Sequence, residues 1–249
     1  MPIEEILNEY WKDHDEEIRD RLFGFIRANR KLILRIQKTN KTKDWIPCKG
    51  IRRINTSRNN FYRVYLRVRF NGDIPGYMST TYMILNDSIS GNKVIYLMPA
   101  EFGGSLLTFT PKFFYEYNQQ NGLNPKTFEE LVDNFVRTYK KLVLFVQDST
   151  GNSRYNCQVD FGNGNIGFGF YDKSSGIYKI RHSYLASTLL EKAIEFGYNE
   201  RDPLSIYIKL RWGDKDEDTN QQNEKFVDNK KKEIDEAWKE YEQLKYMLP

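Results

Sequence analysis

The segment from Phe61 to Phe70 constrains the fold of this chain most strongly, because two kinds of side chain alternate along it. The apolar set is Tyr62, Val64, Leu66, Val68 and Phe70. The other set is Phe61, Arg63, Tyr65, Arg67 and Arg69. Successive side chains of a β-strand point to opposite faces, so a period of two predicts a strand that is buried on one side. We expect the second set to face solvent.

The segments around this strand predict a sheet whose strands follow one another in the chain. Further strands are predicted at 49–55, 77–85 and 93–98, and Asn71-Gly72-Asp73 is a turn signal. Connections this short favour an antiparallel meander. Helical periodicity marks 3–12, 16–37 and 111–120. The predicted fold class is therefore α+β, an antiparallel sheet meander flanked by helices, with further helices at the N- and C-termini.

The middle of the chain predicts a long helix followed by a hairpin. Thr127 and Glu130 fit a capping box at the start of a helix over 127–146. Strands at 155–161 and 166–170 flank a glycine-rich turn, and a third strand is predicted at 176–181. Ser183 is expected to cap the helix that follows.

The last part of the chain changes character. Asp202-Pro203 resembles a helix start, but the alternation from Leu204 to Trp212 predicts a strand. A polar linker at 213–223 precedes a charged helix at 226–248, whose narrow apolar line includes Trp238 and Tyr241. The predicted domains are N-terminal helices at 1–40, an α+β core at 41–213, and the linker with the charged helix at 214–249.

Composition excludes several classes of protein. No window holds 18 consecutive apolar residues, and the acidic N-terminus lacks the features of a secretory signal, so we expect a cytoplasmic protein without a membrane contact. The two cysteines, Cys48 and Cys157, do not form a disulfide framework. No spacing of cysteines and histidines fits a zinc site, so we expect neither a metal nor a cofactor.

The net charge of +4 is unevenly distributed. Residues 41–100 carry ten Lys or Arg against three Asp, whereas residues 214–249 carry eleven Asp or Glu against seven Lys. A local excess of positive charge attracts phosphates or an acidic partner, although it also occurs on a surface that is merely solvated.

The outward set of the 61–70 strand is the most specific candidate site. Arginine binds phosphate bidentately, and tyrosine offers a surface on which bases stack. The predicted polyanion-binding residues are Arg52, Arg53, Arg63, Tyr65, Arg67, Arg69, Lys209 and Arg211. Arg58 and Tyr207 are expected to extend this patch. A partner protein, or the acidic helix at 226–248, would cover the same face equally well.

His182 is a weaker candidate, as a catalytic residue. It lies beside Arg181 and near Lys179 and Tyr184 in the sequence. Such a cluster suits general acid–base cleavage of RNA, as in small ribonuclease toxins. The alternative is a histidine at a strand–helix junction that hydrogen-bonds the backbone.

The order of the elements and one helix resemble uncharacterised proteins of gut anaerobes and their phages or mobile elements. Their pattern T-x-H-F-F-x-R-Y-x-x-R is similar to Thr110–Gln120. Lys112 stands at the histidine position, and Glu116 and Gln120 stand at the arginine positions. The resemblance spans residues 1 to about 197 and implies no assigned activity. Loss of the histidine and the arginines favours a non-catalytic role.

Taken together, the sequence predicts a non-enzymatic binding or assembly protein, of phage or mobile-element origin. Its Arg/Tyr strand face is expected to contact nucleic acid, RNA or single-stranded DNA, or another polyanion. Two alternatives stay open. One is a structural module in which Trp238 and Tyr241 contact another protein or a second copy of the chain. The other is an RNA-cleaving enzyme that depends on His182.

Overall fold

The alternating segment forms most of an eleven-residue strand in a ten-stranded sheet. A computed structural model describes residues 3–39, 45–48, 50–71, 74–86, 93–99, 106–147, 154–197 and 202–212. The strands are β1 (Ile46–Pro47), β2 (Arg52–Asn55), β3 (Phe61–Asn71), β4 (Ile74–Asn86), β5 (Lys93–Pro99), β6 (Leu106–Phe109), β7 (Val143–Gln147), β8 (Arg154–Asp160), β9 (Asn165–Asp172) and β10 (Ile177–Leu185). The helices are α1 (Ile3–Asp13), α2 (Arg19–Ala28), α3 (Arg30–Thr39), α4 (Pro111–Asn121), α5 (Phe128–Thr138), α6 (Ala186–Glu195) and α7 (Pro203–Trp212).

The sheet order is β1-β3-β4-β5-β6-β10-β9-β8-β7, and β2 also pairs with β3. The predicted meander is confirmed, since β3, β4, β5 and β6 pair antiparallel in chain order. One pair, β6 with β10, is parallel, and α4, α5 and the strands β7 to β9 lie between its two members in the chain. The predicted α+β class is therefore confirmed.

The N-terminal helices bury one face of the sheet. Ile6, Tyr10 and Ile18 pack on Tyr62 and Val64 of β3. Further along the same strand, α2 and α3 pack Phe25 and Ile33 on Leu66 and Val68. The predicted apolar set of β3 therefore faces the core, as the alternation requires. The predicted helix over 16–37 is interrupted, because a π-helical turn covers His14–Ile18 and Asn29 separates α2 from α3.

Two helices bury the opposite face of the sheet. Phe113 and Phe114 of α4 and Phe135 of α5 pack around Phe109 of β6. Most of these ring pairs meet edge to face or at a tilt, the arrangements that aromatic quadrupoles favour. The second side of the sheet is consequently as apolar at its centre as the first.

Two predicted boundaries of the middle segment are wrong. The helix predicted over 127–146 ends at Thr138, and β7 begins at Val143. The backbone N–H groups of Lys140 and Lys141 donate to the carbonyl of Phe161, so pairing with β8 overrides the helical pattern. Ser183 does not cap a helix, because β10 continues to Leu185.

The strand predicted from Leu204 to Trp212 is wrong, since α7 occupies this segment. The side chain of Asp202 accepts hydrogen bonds from the backbone N–H and the hydroxyl of Ser205, and Pro203 opens the helix. Leu204, Ile206 and Tyr207 are buried, and Ile208 and Leu210 pack against the same cluster. Because apolar residues occur on more than one side of this helix, they do not form a single stripe, and the sequence resembles the alternation of a strand.

Candidate nucleic-acid interface

The prediction that the second set of β3 faces solvent is wrong for its central residues. Tyr65 and Arg67 are each 3% exposed, and Arg63 is half-buried. Phe61 and Arg69, towards the ends of the strand, remain exposed. The alternation separates the two faces correctly, but α5 covers this second face. No open platform of arginine and tyrosine exists on this strand.

Arg67 is a structural residue buried at the end of α5. Its Nη2 donates to the carbonyl oxygen of Val136 at 2.7 Å. Its guanidinium carbon lies 4.1 Å from the ring centroid of Tyr139 and 5.1 Å from that of Tyr65. The carbonyls at a helix C-terminus carry a partial negative charge, which favours a cation there. Burial raises the pKa of Tyr65, although the guanidinium of Arg67 opposes this effect.

Arg63 is also committed within the chain. Its Nη1 lies 2.7 Å from Oδ1 of Asp133 on α5, and both side chains are largely buried. The hydroxyl of Tyr82 on β4 donates to the same carboxylate oxygen at 2.6 Å. Burial, together with the carboxylate of Asp133, raises the pKa of Tyr82. These contacts fix α5 on the sheet and neutralise Arg63.

The other predicted arginines of this region differ in their surroundings. Arg69 is exposed, with its guanidinium carbon 4.5 Å from the ring centroid of Trp45. Arg52 and Arg53 are exposed on β2, and the guanidinium of Arg52 lies 4.0 Å from the ring centroid of Phe25 on α2. Arg58 is paired at 2.8 Å with Asp13 and at 2.5 Å with Glu16. Arg52, Arg53 and Arg69 therefore remain available to a ligand, whereas Arg58 is neutralised.

Asp13 is the centre of the acidic cluster that neutralises Arg58. Its carboxylate is 0% exposed and also accepts hydrogen bonds from Asn60, Tyr62 and Thr56. Burial by itself would raise the pKa of this carboxyl, but hydrogen bonds from these three side chains and from Arg58 outweigh burial and lower it. The cluster attaches α1 to the β2–β3 turn and serves folding.

The predicted second basic strand does not exist, because its residues lie on α7. Tyr207 is 6% exposed, and its ring stacks on Phe168 with centroids 4.2 Å apart. Lys209 is half-buried on this helix, and Arg211 lies in its last turn. These positions follow helical rather than strand geometry, so they do not extend the β3 face.

His182 lies at the junction of β10 and α4 and is 6% exposed. Its Nδ1 is 3.1 Å from Oε1 of Glu116, whose Oε2 accepts the backbone N–H of Ser183 at 2.9 Å. Gln120 donates to the carbonyl of Ser183 at 2.6 Å. β6 ends at Phe109, so its pairing with β10 stops at Ile180. Beyond that point, the side chains of Glu116 and Gln120 on α4 form hydrogen bonds with the backbone of β10. Glu116 and Gln120 stand where the pattern T-x-H-F-F-x-R-Y-x-x-R has arginines, and both have a structural role in this protein.

The structure also shows a basic surface that the sequence reading did not identify. It runs along the solvent side of α2 and α3, and we call it the basic stripe. Its members are exposed and none forms an ion pair with a described residue: Arg27, Arg30, Lys31, Arg35 and Lys38. Like charges separated by four residues, such as Lys31 and Arg35, disfavour a helix by about 0.2–0.5 kcal/mol per pair. A bound polyanion would relieve that repulsion.

Apolar side chains accompany the basic stripe. Phe23 is 53% exposed and Leu34 is 45% exposed on the same two helices. Arg52 reaches α2 from β2 through its contact with Phe25. Guanidinium planes next to an exposed ring provide both phosphate contacts and a stacking surface.

Net charge does not reveal the basic stripe, because acidic residues precede it in the chain. Residues 1–40 contain eight acidic and eight basic residues, so their net charge is zero. The order of the charges carries the signal, since no Asp or Glu occurs between Asp20 and Asp44. Several of the acids before this gap pair with the β2–β3 turn, as Asp13, Glu16 and Glu17 do.

Trp238 and Tyr241, the predicted partner-contact residues, lie outside the described residues. In the part of the chain that the structure describes, no three His, Cys, Asp or Glu side chains come together as metal ligands. None of the described helices has the length and apolar character needed to cross a bilayer. No protein family, curated protein or solved structure matches this chain.

Proposed function

We propose that the protein is a non-enzymatic binding protein that contacts single-stranded nucleic acid, RNA or DNA, through the basic stripe of α2 and α3. One observation carries the proposal. Five exposed cations lie on two consecutive helices, and none has an ion-pair partner among the described residues. Arg52, predicted from the sequence as a contact, is also exposed and lies on β2, where its guanidinium contacts Phe25 of α2.

The chemistry of the stripe suits a phosphate backbone. Within α3, the part of the stripe from Arg30 to Lys38 extends about 12 Å at the helical rise of 1.5 Å per residue, enough to follow more than one phosphate of a strand. Three of its five cations are arginines, which bind phosphate with two parallel hydrogen bonds. The exposed ring of Phe23 offers a stacking surface that unpaired bases use and paired bases do not. This combination favours a single strand over a duplex.

Binding of a fluorescein-labelled 20-nucleotide oligouridylate, measured by anisotropy at low salt, tests the proposal. The variant carries Arg30→Glu, Lys31→Glu and Arg35→Glu, all at exposed helical positions where Glu is a good helix former. A control with the same change in net charge carries Lys126→Glu, Lys173→Glu and Lys192→Glu, which are exposed elsewhere on the molecule.

The stripe variant is expected to lose at least about tenfold in affinity, while the control keeps most of the wild-type affinity. Failure of the wild-type chain to bind at low salt would contradict the proposal. An equal loss in both variants would show that net charge matters rather than the stripe. A labelled duplex of the same length serves as a further arm and is expected to bind more weakly.

The proposal places the protein in the cytoplasm, where it would encounter RNA. Cys48 and Cys157 are buried free thiols, a state that suits a reducing compartment. Burial raises the pKa of Cys157 to about 12, so this thiol is not activated as a nucleophile. The RNA-cleaving alternative has little geometric support, because the His182 ring is buried against Glu116 and Tyr207.

A second candidate function, a protein-interaction module, is favoured by an exposed apolar ridge on α6. Leu190, Ile194 and Phe196 are 44%, 78% and 54% exposed. In this candidate the ridge accepts the apolar line of the predicted 226–248 helix from a second copy, including Trp238 and Tyr241. The mass of the full chain in solution, compared with that of a Trp238→Glu, Tyr241→Glu variant, tests it. An unchanged mass would remove it.

A further inference from the structure

The two edges of the ten-stranded sheet differ in their protection against pairing with another strand. One edge is formed by β1 and β2, of two and four residues, which bring Pro47, Arg52 and Arg53 to the edge. Short strands, proline and charge are the usual means of keeping an edge from pairing. This edge is therefore blocked.

The opposite edge, β7, has none of these protections. Its five residues are Val-Leu-Phe-Val-Gln, without charge or proline, and Phe145 and Val146 are 51% and 43% exposed. One side of β7 pairs with β8 from Val143 to Gln147, and no described strand pairs with the other side. Half of its backbone N–H and C=O groups therefore point away from the sheet and can bond to a further strand.

We propose that β7 pairs antiparallel with β7 of a second copy of this chain, so that two sheets join across a two-fold axis. The order of charges around β7 is self-complementary when two copies pair antiparallel. Lys140 precedes the strand and Asp148 follows it in the sequence. Antiparallel pairing sets the lysine end of one copy beside the aspartate end of the other, whereas parallel pairing would align like charges. Two-fold dimers are the commonest closed assembly.

The proposed register places Phe145 opposite its own symmetry mate. Leu144 then lies opposite Val146, and Val143 opposite Gln147. Aromatic and β-branched side chains form favourable cross-strand pairs, so the exposed Phe145 and Val146 would gain contacts that the single chain does not give them. The interface joins backbone edges and leaves the basic stripe of α2 and α3 uninvolved.

Light scattering of the full chain after size exclusion gives the first test. We expect a mass of two subunits for the wild type and of one subunit for Phe145→Lys, which opposes two ammonium groups at the axis. Phe61→Lys, at an exposed apolar position at the start of β3, is expected to leave the dimer intact. A wild-type monomer at about 100 µM, well above the micromolar Kd of a weak complex, would overturn the proposal. So would a Phe145→Lys dimer, or an equal loss of the dimer in Phe61→Lys.

Oxidative cross-linking tests the register and does not depend on loss of assembly. Both native cysteines are buried, so an introduced cysteine is the only accessible one among the described residues. Phe145→Cys is expected to form a covalent dimer readily, because paired residues on adjacent strands bring their Cβ atoms within about 5.5 Å. Val143→Cys is expected not to cross-link, since its mate lies four residues away along the strand. Equal cross-linking of both variants, or of neither, would overturn the register and with it the proposed interface.

Discussion

Two groups of arginines on this protein have the same chemistry and opposite surroundings. Arg63 and Arg67 on β3 are covered by α5, and each has its guanidinium bonded within the chain. Arg30 and Arg35 on α3 are exposed, without an ion-pair partner among the described residues. The strand arginines hold α5 on the sheet, whereas the helix arginines remain available to a ligand. Residue type alone therefore does not identify a binding surface.

The comparison also shows why a buried arginine is a poor functional candidate. Removing a guanidinium from water costs several kcal/mol, which the chain recovers only through close contacts such as those of Arg67 with Val136 and Tyr139. Such a residue cannot bind phosphate without first breaking these contacts. An exposed arginine has no such cost, so its effect should appear in binding rather than in stability.

The largest expected difference is between Arg67→Glu and Arg30→Glu. A carboxylate at position 67 would be buried beside the carbonyl of Val136, so we expect a loss of more than about 4 kcal/mol in the free energy of unfolding, or failure to fold. Arg30→Glu should stay within about 0.5 kcal/mol of the wild type. Urea denaturation measures both. Arg67→Met, which removes the charge but keeps the volume, should lose less, about 1–2 kcal/mol. Equal stability of Arg67→Glu and the wild type would contradict the buried role.

Asp13 gives the next largest effect, and the effect depends on pH. The pKa of its carboxyl is lower in the folded chain than the ordinary value of 3.8, so it stabilises the fold above that pH. This stabilisation is lost as the pH falls through the folded-state pKa. Asp13→Asn should lose about 2 kcal/mol at pH 7, and the gap to the wild type should close below about pH 4. Asp20→Asn, at an exposed position of α2, is the matched control. A gap of the same size at pH 7 and at the lowest pH at which the wild type stays folded would disprove this assignment.

A smaller effect separates the Arg63–Asp133 pair from a surface pair on the N-terminal helices. In a double-mutant cycle with alanine, Arg63 and Asp133 should couple by about 1–2 kcal/mol, because both side chains are largely buried. Arg21 and Glu17, four residues apart at 3.0 Å with Arg21 half exposed, should couple by less than about 0.5 kcal/mol. Coupling energies of equal size would remove the distinction between buried and exposed pairs.

The sequence predicted local structure better than it predicted what covers a surface. The alternation of β3 identified a strand, and its apolar set faces the core as expected. Whether the second set is covered depends on α5. This helix lies far along the chain, and in the contact between Arg63 and Asp133 the two residues are 70 positions apart. No local pattern contains that information. The alternation at 204–212 failed for a related reason, since a helix with apolar residues on more than one side shows no single stripe.

The candidate site was only partly predictable. Arg52, Arg53 and Arg69 were expected from the sequence and remain exposed. The basic stripe was missed, although the absence of any acid between Asp20 and Asp44 was visible in the sequence. A helical projection of α3 places Lys31, Arg35 and Lys38 opposite the buried Ile33, with Arg30 at the border between the two faces. The pairing of the nearby acids with the β2–β3 turn required the three-dimensional structure.

The salt dependence of single-strand binding tests the central claim most directly. Each phosphate that a cation neutralises adds about 0.7 to the slope of log K against log salt concentration. The variant Arg30→Glu, Lys31→Glu, Arg35→Glu should therefore show a slope smaller by about 2 than the wild type. The Lys126→Glu, Lys173→Glu, Lys192→Glu control should keep the wild-type slope. Equal slopes for the wild type and the stripe variant would show that α2 and α3 do not contact the phosphates.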